Sequence, residues 1–177
     1  PINDAYSADV FDKYLEMIDP GKRFFLQSEV DEFSKHRTKL DDYLNRGDLT
    51  FYKLTVDKLY DRTSEIEKYS QEILSKPINF EENDELILEP KLKKYPQNQE
   101  ELKNEWKKFI KYNILQEIET LNAKEETQRE KKDSVNRLKL KDTIKLEILT
   151  PAQKQVKATE EVKDLMTSMF KRFQKRK

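Results

Sequence analysis

The chain has 177 residues, with 35 Lys+Arg against 35 Asp+Glu, one His, two Gly, six Pro and no Cys. Charged residues make up 40% and apolar ones only 35%, yet zero net charge and nine Phe, eight Tyr and one Trp favour a packed domain over a disordered chain. Gly21 and Gly47 alone cannot write a phosphate loop, a dinucleotide fingerprint or a nucleophile elbow, and a Cys-free chain has no disulfide, thiol nucleophile or Cys-ligated zinc.

In chain order, Val10, Phe11, Tyr14, Leu15 and Ile18 recur on one helical face. They predict a first helix capped by Ser7 and stopped by Pro20-Gly21. Arg23-Phe24-Phe25-Leu26 reads as a short apolar connector tucked beneath neighbouring helices. Ser28 with Asp31 opens a second helix whose face is Val30, Phe33, Arg37, Leu40 and Leu44, closed by Gly47. Asp48 caps a long third helix, in which Tyr52, Val56, Leu59, Ile66 and Ile73, with Thr63 and Ser70 filling the gaps, form a near-heptad seam for an antiparallel neighbour. The Lys76-Pro77 step ends it.

Residues 77–98 hold Pro77, Pro90 and Pro96 among Phe80, Leu86, Ile87 and Leu88, and predict a loop laid across the helical core. Asn98 with Glu101 starts a fourth helix, with Leu102, Trp106, Phe109, Ile110, Asn113, Ile114 and Leu121 on its face. Residues 122–134 carry almost no apolar side chain and read as a mobile loop rather than an exposed helix. Leu138, Leu140, Ile144, Leu146 and Ile148 alternate, so residues 137–149 are open to a short β hairpin; helix is favoured because a lone hairpin lacks a partner sheet. Thr150-Pro151 with Gln153 predicts a capped last helix bearing Val156, Val162, Leu165, Met166, Met169, Phe170 and Phe173. The fold class is therefore mainly all-α: a largely antiparallel multi-helix bundle with a proline-containing loop across it.

Chemistry is sparse. His36, within Ser34-Lys35-His36-Arg37, reads as a surface histidine, and no His-based metal spacing accompanies it. Asp41-Asp42, Glu81-Glu82 and Glu100-Glu101 are adjacent pairs that point apart on a helix, not an acid/base couple. The one S-x-x-K singled out, Ser168 to Lys171, places its lysine in the terminal basic run, where a solvated ammonium makes a poor base. No catalytic, cofactor-binding or metal-binding residue is assigned. Residues 1–90 hold 12 Lys+Arg and 21 Asp+Glu, and residues 91–177 hold 23 and 14, net charges of −9 and +9. Two halves facing each other electrostatically explain this split; the alternative is a free-standing interaction or nucleic-acid-binding module using residues 131–145 and 171–177. Self-association through the 52–73 seam is a third reading.

Ala5-Tyr6-Ser7-Ala8-Asp9-Val10-Phe11-Asp12-Lys13-Tyr14-Leu15, followed by Ile18-Asp19 and Arg23-Phe24-Phe25-Leu26, resembles the N-terminal domain of the tail-specific (carboxyl-terminal processing) serine proteases of Gram-negative bacteria. Lys76-Pro77, Phe80, Asn83 and Asp84 resemble the family's K-P-x-x-F-x-x-N-D stretch, and the similarity resumes at Pro96, Leu102 and Trp106. The resemblance implies one helical N-terminal domain over residues 1–177 of a larger periplasmic enzyme. Starting at Pro1, with neither Met nor signal peptide, the chain reads as an excised piece. The PDZ domain, and the protease domain with its Ser/Lys dyad, would lie beyond residue 177. Implied partners are those domains, unfolded or C-terminally tagged protein substrates and an adaptor, with no nucleic acid, no membrane span and no cofactor.

Overall fold

The computed structural model describes residues 3–138, 146 and 148–175. Six helices follow in order: α1 Asp4–Ile18, α2 Gln27–Ser34, α3 Leu40–Arg46, α4 Thr50–Leu74, α5 Gln99–Arg137 and α6 Pro151–Gln174. Two apolar cores result. Phe11, Leu15, Phe25, Val30, Phe33, Leu40 and Phe51 close the first, around α1, α2, α3 and the start of α4. Ile66, Leu102, Trp106, Ile110, Ile114, Leu121, Val162, Met166 and Phe170 close the second, around the rest of α4 with α5 and α6. Gln174 reaches Glu67 while Lys163 lies beside Leu74, so α6 runs antiparallel to α4. Lys154 on Asn122 and Leu165 beside Asn113 give the same sense against α5.

The connector after α1 joins the two cores by alternation. Phe25 enters the first core at 0% exposure, while Phe24 and Leu26 join the second. Phe24 meets the rings of Trp106 and Phe173, with centroids 5.9 and 5.6 Å away. An extended backbone throws successive side chains to opposite faces, so a short segment can serve two cores.

Several helix ends match the sequence pattern. Thr150 Oγ1 accepts from the Gln153 N–H, and Gln153 Oε1 accepts from the Thr150 N–H, a reciprocal cap with Pro151 in the first turn. Asn98 Oδ1 accepts from the Glu101 N–H. Gly47 ends α3 at φ 64°, a left-handed conformation that glycine adopts without a Cβ clash.

Other expectations are corrected. Ser7 does not cap α1; Asn3 does, accepting from the Tyr6 N–H. The second predicted helix is two, α2 and α3, because residues 35–39 form tight turns held from outside: the Asp12 carboxylate takes Arg37 in a fork, and His36 docks on Tyr43 and Phe51. Residues 122–134 are helical, not a loop. Ala, Glu, Lys, Gln and Arg are good helix formers, and Glu125 accepts from Arg129 within α5 and forms an ion pair with Lys154 on α6. The hairpin at 137–149 is not borne out, since no strand occurs among the described residues and Arg137 still belongs to α5. Residues 139–145 and 147 lie outside the described residues. Of the 52–73 seam, Thr63, Ile66 and Ser70 are buried within the chain, while Tyr52 is 54% exposed.

Candidate functional site

Several residues of the family-like pattern in α1 make contacts that hold other elements, while Tyr6 is exposed and Asp9 pairs with Lys13 within the helix. Ser7, buried, accepts from the Asp41 N–H at 2.9 Å and donates to the Asp41 carboxylate at 2.7 Å, so it caps α3 across the helix interface. That hydroxyl holds the Asp41 carboxyl below its ordinary range. Asp12 takes Arg37 at 2.6 and 3.0 Å, and this hydrogen bonding depresses the Asp12 carboxyl. Tyr14 shares a 2.6 Å hydrogen bond with Thr55 on α4, while Phe11 and Leu15 fill the first core. Asp19, 1% exposed, accepts from the N–H groups of Arg23, Phe24 and Phe25 at 2.8, 3.0 and 3.1 Å, which shapes the connector. Burial pushes its carboxyl up, against the pull of those three donors.

The crossing segment, residues 75–98, is fastened at both ends. At its start, Ile78 and Phe80 lie on the second core, and the buried Lys111 of α5 donates to the Glu82 carbonyl and the Asp84 carboxylate, both at 2.7 Å. That ammonium holds the Asp84 carboxyl low. At its end, Lys93 is buried with its Nζ 3.0 Å from Glu105, an ion pair outside hydrogen-bond alignment. Burial lowers the pKa of Lys93, opposed by the Glu105 carboxylate. Lys22 donates to the Lys93 carbonyl at 2.7 Å, and the Pro96 carbonyl accepts from the Gln27 N–H at 2.8 Å. Between these fasteners the chain stands off: Ile87, Leu88 and Leu92 are 41, 48 and 73% exposed. A groove of about 530 Å³ separates this stretch from the first turns of α5, lined by Glu85, Ile87, Leu92, Tyr95, Asn104 and Lys108 among others.

Sequence reasoning missed both buried lysines. Lys111 was legible as a lysine one residue past Ile110 on a clean apolar stripe; Lys93 had no such signal. Both ammonium groups meet carboxylates, and neither meets a serine hydroxyl. Ser168 and Lys171 are exposed on α6, where the Ser168 carbonyl accepts from Arg172. His36 is half-buried rather than free on the surface, with its Nδ1 2.7 Å from the Tyr43 hydroxyl. Of the carboxylate pairs, Asp41 is bound to Ser7, while Asp42 pairs with Arg46. Glu82 pairs with Lys107, and Glu101 accepts from the Gln97 N–H. The opposite net charges of the two halves meet through Lys103–Glu72, Lys107–Glu82 and Lys111–Asp84. Within the proposed basic surfaces, residues 139–145, 176 and 177 lie outside the described residues. Among the described residues no group of three His, Asp or Glu is placed to hold a metal ion.

A tail-specific protease of Haemophilus influenzae is 30% identical over 115 residues, which cover 64% of this chain and 16% of that relative. The chain therefore matches a small part of the relative's length. Residues 1–176 match the family model for the tail specific protease N-terminal domain, and the chain belongs to that family.

Proposed function

We propose that this chain is a non-catalytic helical scaffold of a periplasmic carboxyl-terminal processing serine protease, one that helps wall the substrate cavity and offers a docking face to an adaptor. One observation carries the reading. Five polar groups of the family-like pattern (Ser7, Asp12, Tyr14, Asp19 and Asp84) are spent on holding α3, the 35–39 turn, α4, the connector and the crossing segment. Residues retained for a reaction would instead turn free donors, acceptors or nucleophiles toward a shared cleft. The PDZ and protease domains, with a Ser/Lys dyad, belong to other parts of the parent polypeptide, and its substrates are unfolded or C-terminally tagged proteins.

Lys103, Lys107, Lys111 and Lys154 of the basic half are committed to carboxylates, whereas the nucleic-acid alternative would use residues 131–145 and 171–177; filter binding at two salt concentrations tests it, and no binding at low salt removes it. Deleting this domain from the parent enzyme tests the reading. Altered selection and turnover of unfolded substrates ending in apolar residues is expected; unchanged selection and turnover overturns it.

A further inference from the structure

Residues 84–88 behave as a strand without a sheet. Their backbone is neither helix nor strand, and among the described residues none of their N–H or C=O groups carries a hydrogen bond. Glu85 and Ile87 line the groove against α5 whereas Leu86 and Leu88 do not, the two-residue period of an extended chain. The stretch is held in place by Lys111 on one side and by Lys93 with Pro96 on the other. A guest that pairs with it would therefore meet a backbone whose ordering cost is largely met beforehand. An exposed apolar segment with a row of unpaired backbone groups is the feature to which extended peptides add by β-augmentation.

Charge specifies the guest. Residues 81–89 contain five acids and no base. Lys107 and Lys111 neutralise Glu82 and Asp84, while Glu81, Glu85 and Glu89 have no cationic partner among the described residues. We infer that residues 84–88 capture an extended polypeptide segment whose apolar or β-branched core is flanked by lysine or arginine, pairing backbone to backbone along Glu85–Leu88. The wall reading supplies what that guest is in the cell, an unfolded substrate. Capture itself is measured on this chain without the parent enzyme, so failure of capture and failure of the wall reading are separate results.

The probe is a short synthetic peptide of alternating Val and Thr with lysines at both ends, followed by amide NMR. At peptide ten times above Kd, amide exchange is expected to slow about tenfold at one alternate pair, Glu85 with Ile87 or Leu86 with Leu88, whose N–H groups face the guest, because only the free fraction exchanges. Replacing the flanking lysines by glutamates, or introducing Glu85→Lys with Glu89→Lys, is expected to weaken binding about tenfold at low salt, with less effect at high salt. Ile87→Pro removes a donor that bonds nothing in the free chain. It should abolish capture where Ile87 is in the slowed pair, as Leu88→Pro should where Leu88 is, and either variant should leave the Trp106 fluorescence of the folded bundle unchanged; capture that survives both overturns the proposal. Unchanged exchange at 84–88, protection confined to residues outside that stretch, or equal binding of the lysine- and glutamate-flanked peptides would each overturn the proposal.

Discussion

Asp19→Ala removes the acceptor of three backbone N–H groups, those of Arg23, Phe24 and Phe25, at 2.8, 3.0 and 3.1 Å. The site is 1% exposed and Phe25 is 0% exposed, so water cannot take over without opening the connector. A hydrogen bond to a charged group contributes about 1.5–3 kcal/mol net, and stranded buried donors cost a similar amount each. The three bonds share one carboxylate whose own burial is costly, so the expected loss is about 3–4 kcal/mol rather than the sum. A domain of this size carries about 5–15 kcal/mol, so the variant folds with reduced stability. With a urea slope of about 2 kcal/mol per molar, the midpoint should fall by about 2 M. Trp106 reports on the same place, since its indole N–H donates to the Arg23 carbonyl at 2.7 Å. Urea titration by tryptophan fluorescence therefore reads the effect directly. Asp19→Asn keeps an acceptor oxygen and should lose about half as much. A loss below about 1 kcal/mol for Asp19→Ala would refute the claim that this carboxylate organises the connector.

Lys111→Met keeps the apolar stem and deletes the bonds to Glu82 and Asp84, so backbone NMR order parameters across 80–89 should fall while α5 keeps its own; unchanged order parameters contradict the fastening role. Gly47→Ala meets no atom within 4 Å, so its cost is the left-handed backbone alone, about 1 kcal/mol in the same urea titration. Acidification should destabilise the fold, because Asp12, Asp41, Asp84 and Glu125 are all held low and Glu72 falls from its ordinary 4.5 to about 2 under Lys103 and Lys76. Depressed carboxylates stabilise fully above their unfolded values, and that stability is lost as pH falls from 4.5 toward about 2. Asp19, pushed up by burial, works in the opposite sense and is outnumbered. A urea midpoint at pH about 3 equal to that at neutrality would contradict this.

What the sequence made legible was local. The start of α6 rests on Thr150, Pro151 and Gln153, that of α5 on Asn98 and Glu101, and the end of α3 on Gly47; each is decided by bonds within a few residues. The α1 face was equally plain, because Val10, Phe11, Tyr14, Leu15 and Ile18 all enter one core. What stayed hidden depends on partners distant in sequence. Ser7 looks like a cap in one dimension and is one, but for α3, 34 residues away. The break at 35–39 is made by Asp12 and Phe51, neither of which the local pattern contains. The helix through 122–134 has no apolar stripe to announce it; propensity and the Lys154–Glu125 contact suffice. The crossing segment was legible as packed at its ends, yet its exposed middle follows from Lys93 and Lys111, which a hydropathy pattern treats as surface residues.

The central claim is that these side chains build a scaffold and that bond cleavage is done by other parts of the parent protein. Incubating this 177-residue chain with an unfolded protein that ends in apolar residues, and reading the products by mass, tests it most directly. The account predicts intact substrate at every time point. New C-termini that appear with the wild-type chain, and vanish when one of its own serines is replaced by alanine, would contradict it.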